Sequence, residues 1–180
     1  MARVQLVQPE TATGTTKQLF DVVQQAFGGV PNVARLMANS PAVLNSFLQF
    51  STAMSTGLLT EKLRDQLKLA ASESNSCDYC LAALCAIGTG HGLTAADITG
   101  GRQAVSADPK SDAALKFAKR VVAEKGHVSD DDLQAVKSAG LTDGEIVEVI
   151  ATVVLGFFTN YLNNALKTDV DFAPATKLVA

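Results

Sequence analysis

The 180-residue sequence has no Trp and only two Tyr, two His and five Pro. Such scarcity leaves little material for a His-rich metal centre or for a platform that stacks nucleic-acid bases. Basic charge is not in excess either. Fifteen Lys and Arg face eighteen Asp and Glu, the formal net charge is -3, and no basic run interrupts the mixture. Nucleic acid is not expected as a partner, because phosphate binding needs a concentrated basic face. Long apolar runs are missing as well. The longest, Val149 to Phe158, follows directly on Glu148 and is too short to span a bilayer, so it reads as a buried helix and no membrane partner is expected. The first twenty residues carry one early Arg, no apolar segment of signal length and no small-residue cleavage site, which points to a cytoplasmic protein.

What is present is the composition of a globular domain, with 47% hydrophobic and 18% charged residues. The chain fits one domain over residues 1–180 and is long enough to bury a core without disulfide or metal clips. Nearly every patterned segment has helical spacing, so the expected fold class is all-α, a compact single-domain helical bundle. Helices are expected over Lys17–Phe27, with Leu19, Val22, Val23, Ala26 and Phe27 on its apolar stripe, then in a short element after Pro31 and over Pro41–Met54 with Ser40 as N-cap. Further helices are expected over Thr60–Asn75, Cys77–Ile87, Ala113–Lys125 and Ser129–Ser138. Thr142 launches a long one through Leu166, with the Thr142–Glu145 capping box at its start. Thr94 to Ile98 reads as a short turn, and the tail after Asp171 as a segment that frays or wraps a neighbour.

Three cysteines fall within nine positions: Cys77, Cys80 and Cys85. Cys77 and Cys80 are three apart, one helical turn on one face, so they can form a disulfide or act together. In a first helical turn they also meet unpaired N–H groups and the positive end of the dipole, which favours a thiolate. The bland alternative, small thiols filling an Ala-rich helix, fits Cys85, rotated by about 140° from Cys80. Zinc on Cys77, Cys80, Cys85 and His91 requires that helix to be broken, because His91 lies beyond Gly88 and Gly90.

The stretch Leu58–Gly88, LLTEKLRDQLKLAASESNSCDYCLAALCAIG, resembles the signature segment of the alkylhydroperoxidase D-like and carboxymuconolactone decarboxylase family. Gly29-Val-Pro-Asn32 and the late FTNYLNNALKTDVDF extend the likeness. The resemblance implies an all-helical homo-oligomer, a dimer, trimer or hexamer, that reduces hydroperoxides as a peroxiredoxin-type alkylhydroperoxide reductase. Cys80 would attack the peroxide and become a sulfenic acid, and Cys77 would resolve it to a disulfide. The family relay places a glutamate twelve positions before the first cysteine and a histidine four after the second. Here those positions hold Asp65 and Leu84, while Tyr79 fits a third polar position between the cysteines. Asp65 and Tyr79 are therefore candidate tuners of protonation, with Asp65 acting through a water, and Leu84 cannot move a proton.

Two residues are conceivable substitutes for the relay histidine: Glu73, otherwise a solvated helix-end charge, and His91, otherwise an exposed loop residue. Asn163 and Asn164 could reach a neighbouring site or cap a subunit contact, where ordinary solvation is the bland alternative. No metal or organic cofactor is implied. The implied partners are a hydroperoxide and a thiol electron donor, lipoyl or thioredoxin-like. Three rival readings keep the fold: a redox sensor or oligomeric binding protein with a degenerate site, a decarboxylase that handles a lactone by acid-base chemistry, and a purely structural oligomer.

Overall fold

The structure, a computed structural model, describes residues 2–178. A short 3-10 turn, Pro9–Thr11, precedes nine α-helices among the described residues, and no strand occurs there. The helices are α1 Gly14–Phe27, α2 Asn32–Met37, α3 Pro41–Ser55, α4 Glu61–Ser74, α5 Asp78–Gly90, α6 Ala95–Gln103, α7 Pro109–Ala123, α8 Asp130–Ser138 and α9 Asp143–Leu166. The starts follow local chemistry. Thr60 and Asp108 each accept a backbone N–H with their side chains, and Thr94–Asp97, Ser129–Asp132 and Thr142–Glu145 form reciprocal capping boxes. Ser40 holds the N-cap position of α3, but its side chain makes no capping bond.

Helix α4 is the hub, packed against α5, α6, α7 and α9. Its Leu63 and Leu67 meet Leu115 and Phe117 of α7, Val136 of α8 and Val149 and Val153 of α9 in the larger core. Each such Leu or Phe contributes about 2 kcal/mol on burial. Gly101 lets α6 lie close against α4, since a Cβ there would sit 3.1 Å from the Gln66 Cα. A smaller core joins α1, α2 and α3 through Phe20, Val23, Met37 and Leu44.

The structure corrects several expectations. Helix α1 buries Phe20 and Val23, whereas Val22 and Phe27 are 50% and 48% exposed. A short amphipathic pattern admits two neighbouring faces, and packing on α2 and α3 selects the one centred on Phe20. Helix α6 is a full helix and not a single turn. Helix α5 runs through Gly88 to Gly90, because Leu93 folds back, its N–H donating to the Gly88 carbonyl at 2.8 Å and its side chain lying over Gly88. The glycines therefore do not separate His91 from the helix, and His91 is its C-cap. Among the described residues the tail packs back on its own chain. Asp171 accepts from the Asn32 backbone N–H at 2.7 Å, and the Thr176 carbonyl accepts from Arg102 at 2.6 Å.

Helix α9 is long and apolar enough to cross a membrane by length and composition alone. Its Ile146, Val149, Val153, Leu155 and Gly156 are buried against the bundle, as expected of a core helix. The opposite side carries Val147, Ile150, Val154, Phe158 and Tyr161 at the surface.

Candidate active site

The turn between α4 and α5 positions the cysteine pair. Ser76 adopts a left-handed backbone with φ 48°, a conformation few non-glycine residues take, and the Cys77 N–H donates to the Ser72 carbonyl at 2.9 Å. Cys77 becomes the N-cap of α5, its Sγ accepting from the Cys80 N–H at 3.3 Å. The two sulfurs are joined as a disulfide across Cα atoms 5.3 Å apart. Cys77 is completely buried, and Cys80 is 5% exposed. Cys80 opens on a cavity of about 270 Å³, and Cys77 is not among its lining residues. The geometry thus makes one sulfur accessible and keeps the other behind it.

Helix α9 holds this turn through three asparagines. Asn160, fully buried, donates to Ser72 Oγ at 3.0 Å and accepts from Asn75 at 2.9 Å, and Asn164 donates to the Asn75 carbonyl at 2.8 Å. Asn163 Nδ2 lies 3.3 Å from Cys80 Sγ and donates to it. An N–H aimed at sulfur and the N-terminal end of a helix both favour the thiolate after reduction.

The cavity runs along one face of α5, past Ala83, Leu84 and Ile87, to His91, three turns or about 16 Å of helix from Cys80. At that far end His91 Nδ1 lies 2.6 Å from Asp65 Oδ2, and Lys68 Nζ lies 2.7 Å from Asp65 Oδ1. Glu61 is 3.6 Å from the other ring nitrogen. Asp65 is 1% exposed and spends both oxygens on these partners. It is thus gathered into the cavity with Cys80 but coupled to His91. Leu84 packs with Leu69, Leu81 and Leu93 while lining the cavity.

Tyr79 is buried between the cysteines. Its hydroxyl accepts from the Val33 N–H at 3.1 Å, and the Asp171 carboxylate stands near it. Burial, reinforced by Asp171, pushes the phenol well above its ordinary range, so Tyr79 stays protonated. The ring meets Phe172 edge-on at 5.8 Å. Tyr79 ties α2 and the tail to the cysteine pair.

Glu73 is neither a relay nor a solvated charge: it pairs with the buried Arg102 at 2.6 Å. Cys85 is turned away among Leu69, Leu81 and Leu93, and burial raises its thiol pKa. Cys77, Cys80, Cys85 and His91 are therefore not gathered around one point. No group of three or more His, Cys, Asp or Glu able to hold a metal occurs among the described residues. Lys68 and Phe172 escaped sequence reasoning. Lys68 stands one turn after Asp65, a usable signal for an ion pair, whereas nothing local marks Phe172 as a lining residue.

The model of the carboxymuconolactone decarboxylase family matches residues 41–120, which include α4, α5 and both cysteines of the pair. No curated protein matches the chain in sequence. Among solved structures, an uncharacterized peroxidase-related protein from Silicibacter sp. TM1040 superposes with a TM-score of 0.82 at 21% identity, over 97% of this chain and 92% of that one. The alkylhydroperoxidase AhpD core of an uncharacterized peroxidase-related protein from Ralstonia eutropha JMP134 gives 0.82 at 24% identity, over 94% and 92%. The debrominase Bmp8 gives 0.78 at 18%, over 92% and 90%. At these identities the likeness establishes the all-helical fold.

Proposed function

We propose, for a chain whose residues 41–120 belong to the carboxymuconolactone decarboxylase family on an alkylhydroperoxidase D-like fold, that it is a thiol peroxidase working through Cys80 and Cys77. The observation that carries this reading is the bonded sulfur pair at the start of α5, with Cys80 alone opening on the cavity and Asn163 donating to it. In the reduced protein the Cys80 thiolate attacks the terminal oxygen of a hydroperoxide. The O–O bond breaks, the alcohol leaves with a proton from water, and Cys80 becomes a sulfenic acid. The Cys77 thiolate then attacks the Cys80 sulfur, hydroxide leaves as water, and the disulfide forms. A dithiol electron donor, lipoyl or thioredoxin-like, restores both thiols by exchange.

The cavity wall supports an organic hydroperoxide as substrate, because Phe47, Leu48, Leu84, Ile87, Leu155 and Phe172 surround the approach to Cys80. The test is consumption of cumene hydroperoxide with excess dithiol. Cys80→Ser is expected to abolish turnover. Cys77→Ser is expected to permit one oxidation per chain, seen as a trapped sulfenic acid, and no recycling. Turnover that survives Cys80→Ser would overturn the reading.

A second reading rests on Asp65 and His91. They form an acid-base couple facing the same cavity, which is the equipment a lactone decarboxylase needs without a dithiol. Turnover of a lactone substrate that survives replacement of both cysteines and is lost in His91→Ala would favour it.

A further inference from the structure

Three buried side-chain atoms among the described residues have no hydrogen-bond partner: Thr152 Oγ1, Asn163 Oδ1 and Thr168 Oγ1. One of them belongs to the side chain that already touches the reacting sulfur. Asn163 is 4% exposed, lines the cavity and donates through Nδ2 to Cys80 Sγ, leaving Oδ1 as a buried acceptor with nothing to accept. A buried polar atom left in this condition is unfavourable by about 1–3 kcal/mol, so a donor entering the cavity is strongly received there. The α5 wall beside Cys80 offers Ala83, Leu84 and Tyr79, whose hydroxyl is already engaged by the Val33 N–H.

We propose that Asn163 is a catalytic residue of the thiol-peroxidase reading, on which this inference rests: Oδ1 accepts the O–H of the hydroperoxide while Nδ2 holds Cys80 Sγ. The terminal oxygen of R–O–O–H carries the only proton of the peroxide group and is also the atom the thiolate attacks. An acceptor on the same planar amide that holds the sulfur therefore brings the correct oxygen to it and turns the R–O side towards the apolar cavity. The orientation of the amide follows from the same chemistry. With Oδ1 towards a thiolate, lone pairs would face lone pairs, whereas N–H towards sulfur is attractive before and after reduction.

The balance closes without a histidine at position 84. The sulfur lone pair forms the S–O bond, the O–O pair leaves with RO, and RO takes its proton from water. The O–H stays on the transferred oxygen, so Oδ1 continues to accept it in the sulfenic acid. Asn160 and Asn164, each tied to the α4–α5 turn, fix the backbone of α9 on either side of Asn163. The preorganisation is the kind that makes one well-aimed polar group count in catalysis.

The test separates the donor from the acceptor. Reduced full-length protein, Asn163→Leu and Asn163→Asp are compared by two measurements: the pH profile of Cys80 alkylation by iodoacetamide, which reads the thiolate, and the oxidation rate of that thiolate by cumene hydroperoxide at pH above its titration. Asn163→Leu removes donor and acceptor in a side chain of similar size. Asn163→Asp keeps acceptor oxygens in the same place. The expected result is a thiolate titration displaced to higher pH in both variants, with the limiting peroxide rate falling at least tenfold in Asn163→Leu and staying within about threefold of the parent in Asn163→Asp. Equal limiting rates in all three proteins would overturn the proposal and reduce Asn163 to a positioning residue for the thiolate. A parent protein whose Cys80 alkylates normally but is not oxidised by the hydroperoxide would overturn the peroxidase reading itself and this inference with it. If Asn163→Leu fails to fold by circular dichroism, Asn163→Ser supplies the comparison, with the same tenfold loss expected because a shorter side chain withdraws the acceptor.

Discussion

His91 Nδ1 lies 2.6 Å from Asp65 Oδ2 across 26 positions of sequence, in the wall of the cavity on which Cys80 opens. The protein therefore keeps a carboxylate-imidazole pair, with His91 three turns of α5 beyond its nucleophile. The immediate surroundings of Cys80 bear directly on its thiolate. Those surroundings are Asn163 and the N-terminal end of α5.

Position 84 lies one helical turn beyond Cys80 on the same face, so Leu84→His places an imidazole where a base can act on the thiol. Oxidation of reduced Cys80 by an organic hydroperoxide is expected to speed up at least tenfold near neutral pH. His91→Ala, by contrast, is expected to leave the pH profile of Cys80 alkylation in place while lowering the melting temperature modestly. A shift of that profile in His91→Ala would mean that the pair does reach the sulfur.

Asp65 is the buried anion on which that pair depends. Removing its carboxylate in Asp65→Ala leaves Lys68 and His91 facing a hole, and the expected loss of stability is about 3 kcal/mol in urea unfolding. Asp65→Asn, which preserves shape and one acceptor, is expected to lose less. If the two variants unfold at the same urea concentration, the shape and acceptor that asparagine retains contribute little and the loss belongs to the carboxylate charge.

Phe172 covers the disulfide from the tail, packed against Tyr79 and the buried Cys77–Cys80 pair. A reducing thiolate must reach one of those sulfurs, and removing the ring opens space beside them. Phe172→Ala is expected to increase the rate of disulfide reduction by dithiothreitol several-fold, monitored as release of two thiols per chain. An unchanged rate would show that the ring does not limit the reductant's approach.

Acid should weaken the fold through its helix caps. Asp97, held by the Thr94 hydroxyl and N–H, Asp132, held by the Ser129 N–H and hydroxyl, and Glu145, held by Lys110 and Thr142, all have carboxyls below their ordinary range. Groups depressed in the folded state contribute stability above their unfolded pKa values, about 3.9 for Asp and 4.3 for Glu, and lose it as pH falls through the folded values. The melting temperature is therefore expected to depend little on these groups between pH 7 and 5 and to fall below about pH 4. Glu145→Gln should make that fall shallower, as read by calorimetry across the pH series.

Local rules were enough to read most of the architecture. Periodicity identified most of the helices, and the Thr142–Glu145 capping box and the Cys77–Cys80 spacing both act within one or two turns of chain, where sequence and geometry are nearly the same thing. The face α1 buries, the length of α6 and the continuation of α5 past Gly88 were not legible, because each is selected by a residue from another element: α2 and α3 against Phe20, Gln66 against Gly101, Leu93 against Gly88.

The same division holds at the site. The amino-acid sequence by itself determined that two thiols share the first turn of a helix and that leucine occupies the place of a base. Only the tertiary structure decided which thiol opens on the cavity, that Asn163 points its amide at Cys80, and that Asp65 faces His91 and not the sulfur. These are contacts between α5 and helices or tail segments far away in the chain. Their partners are chosen by how the whole core closes, a condition that no local spacing encodes.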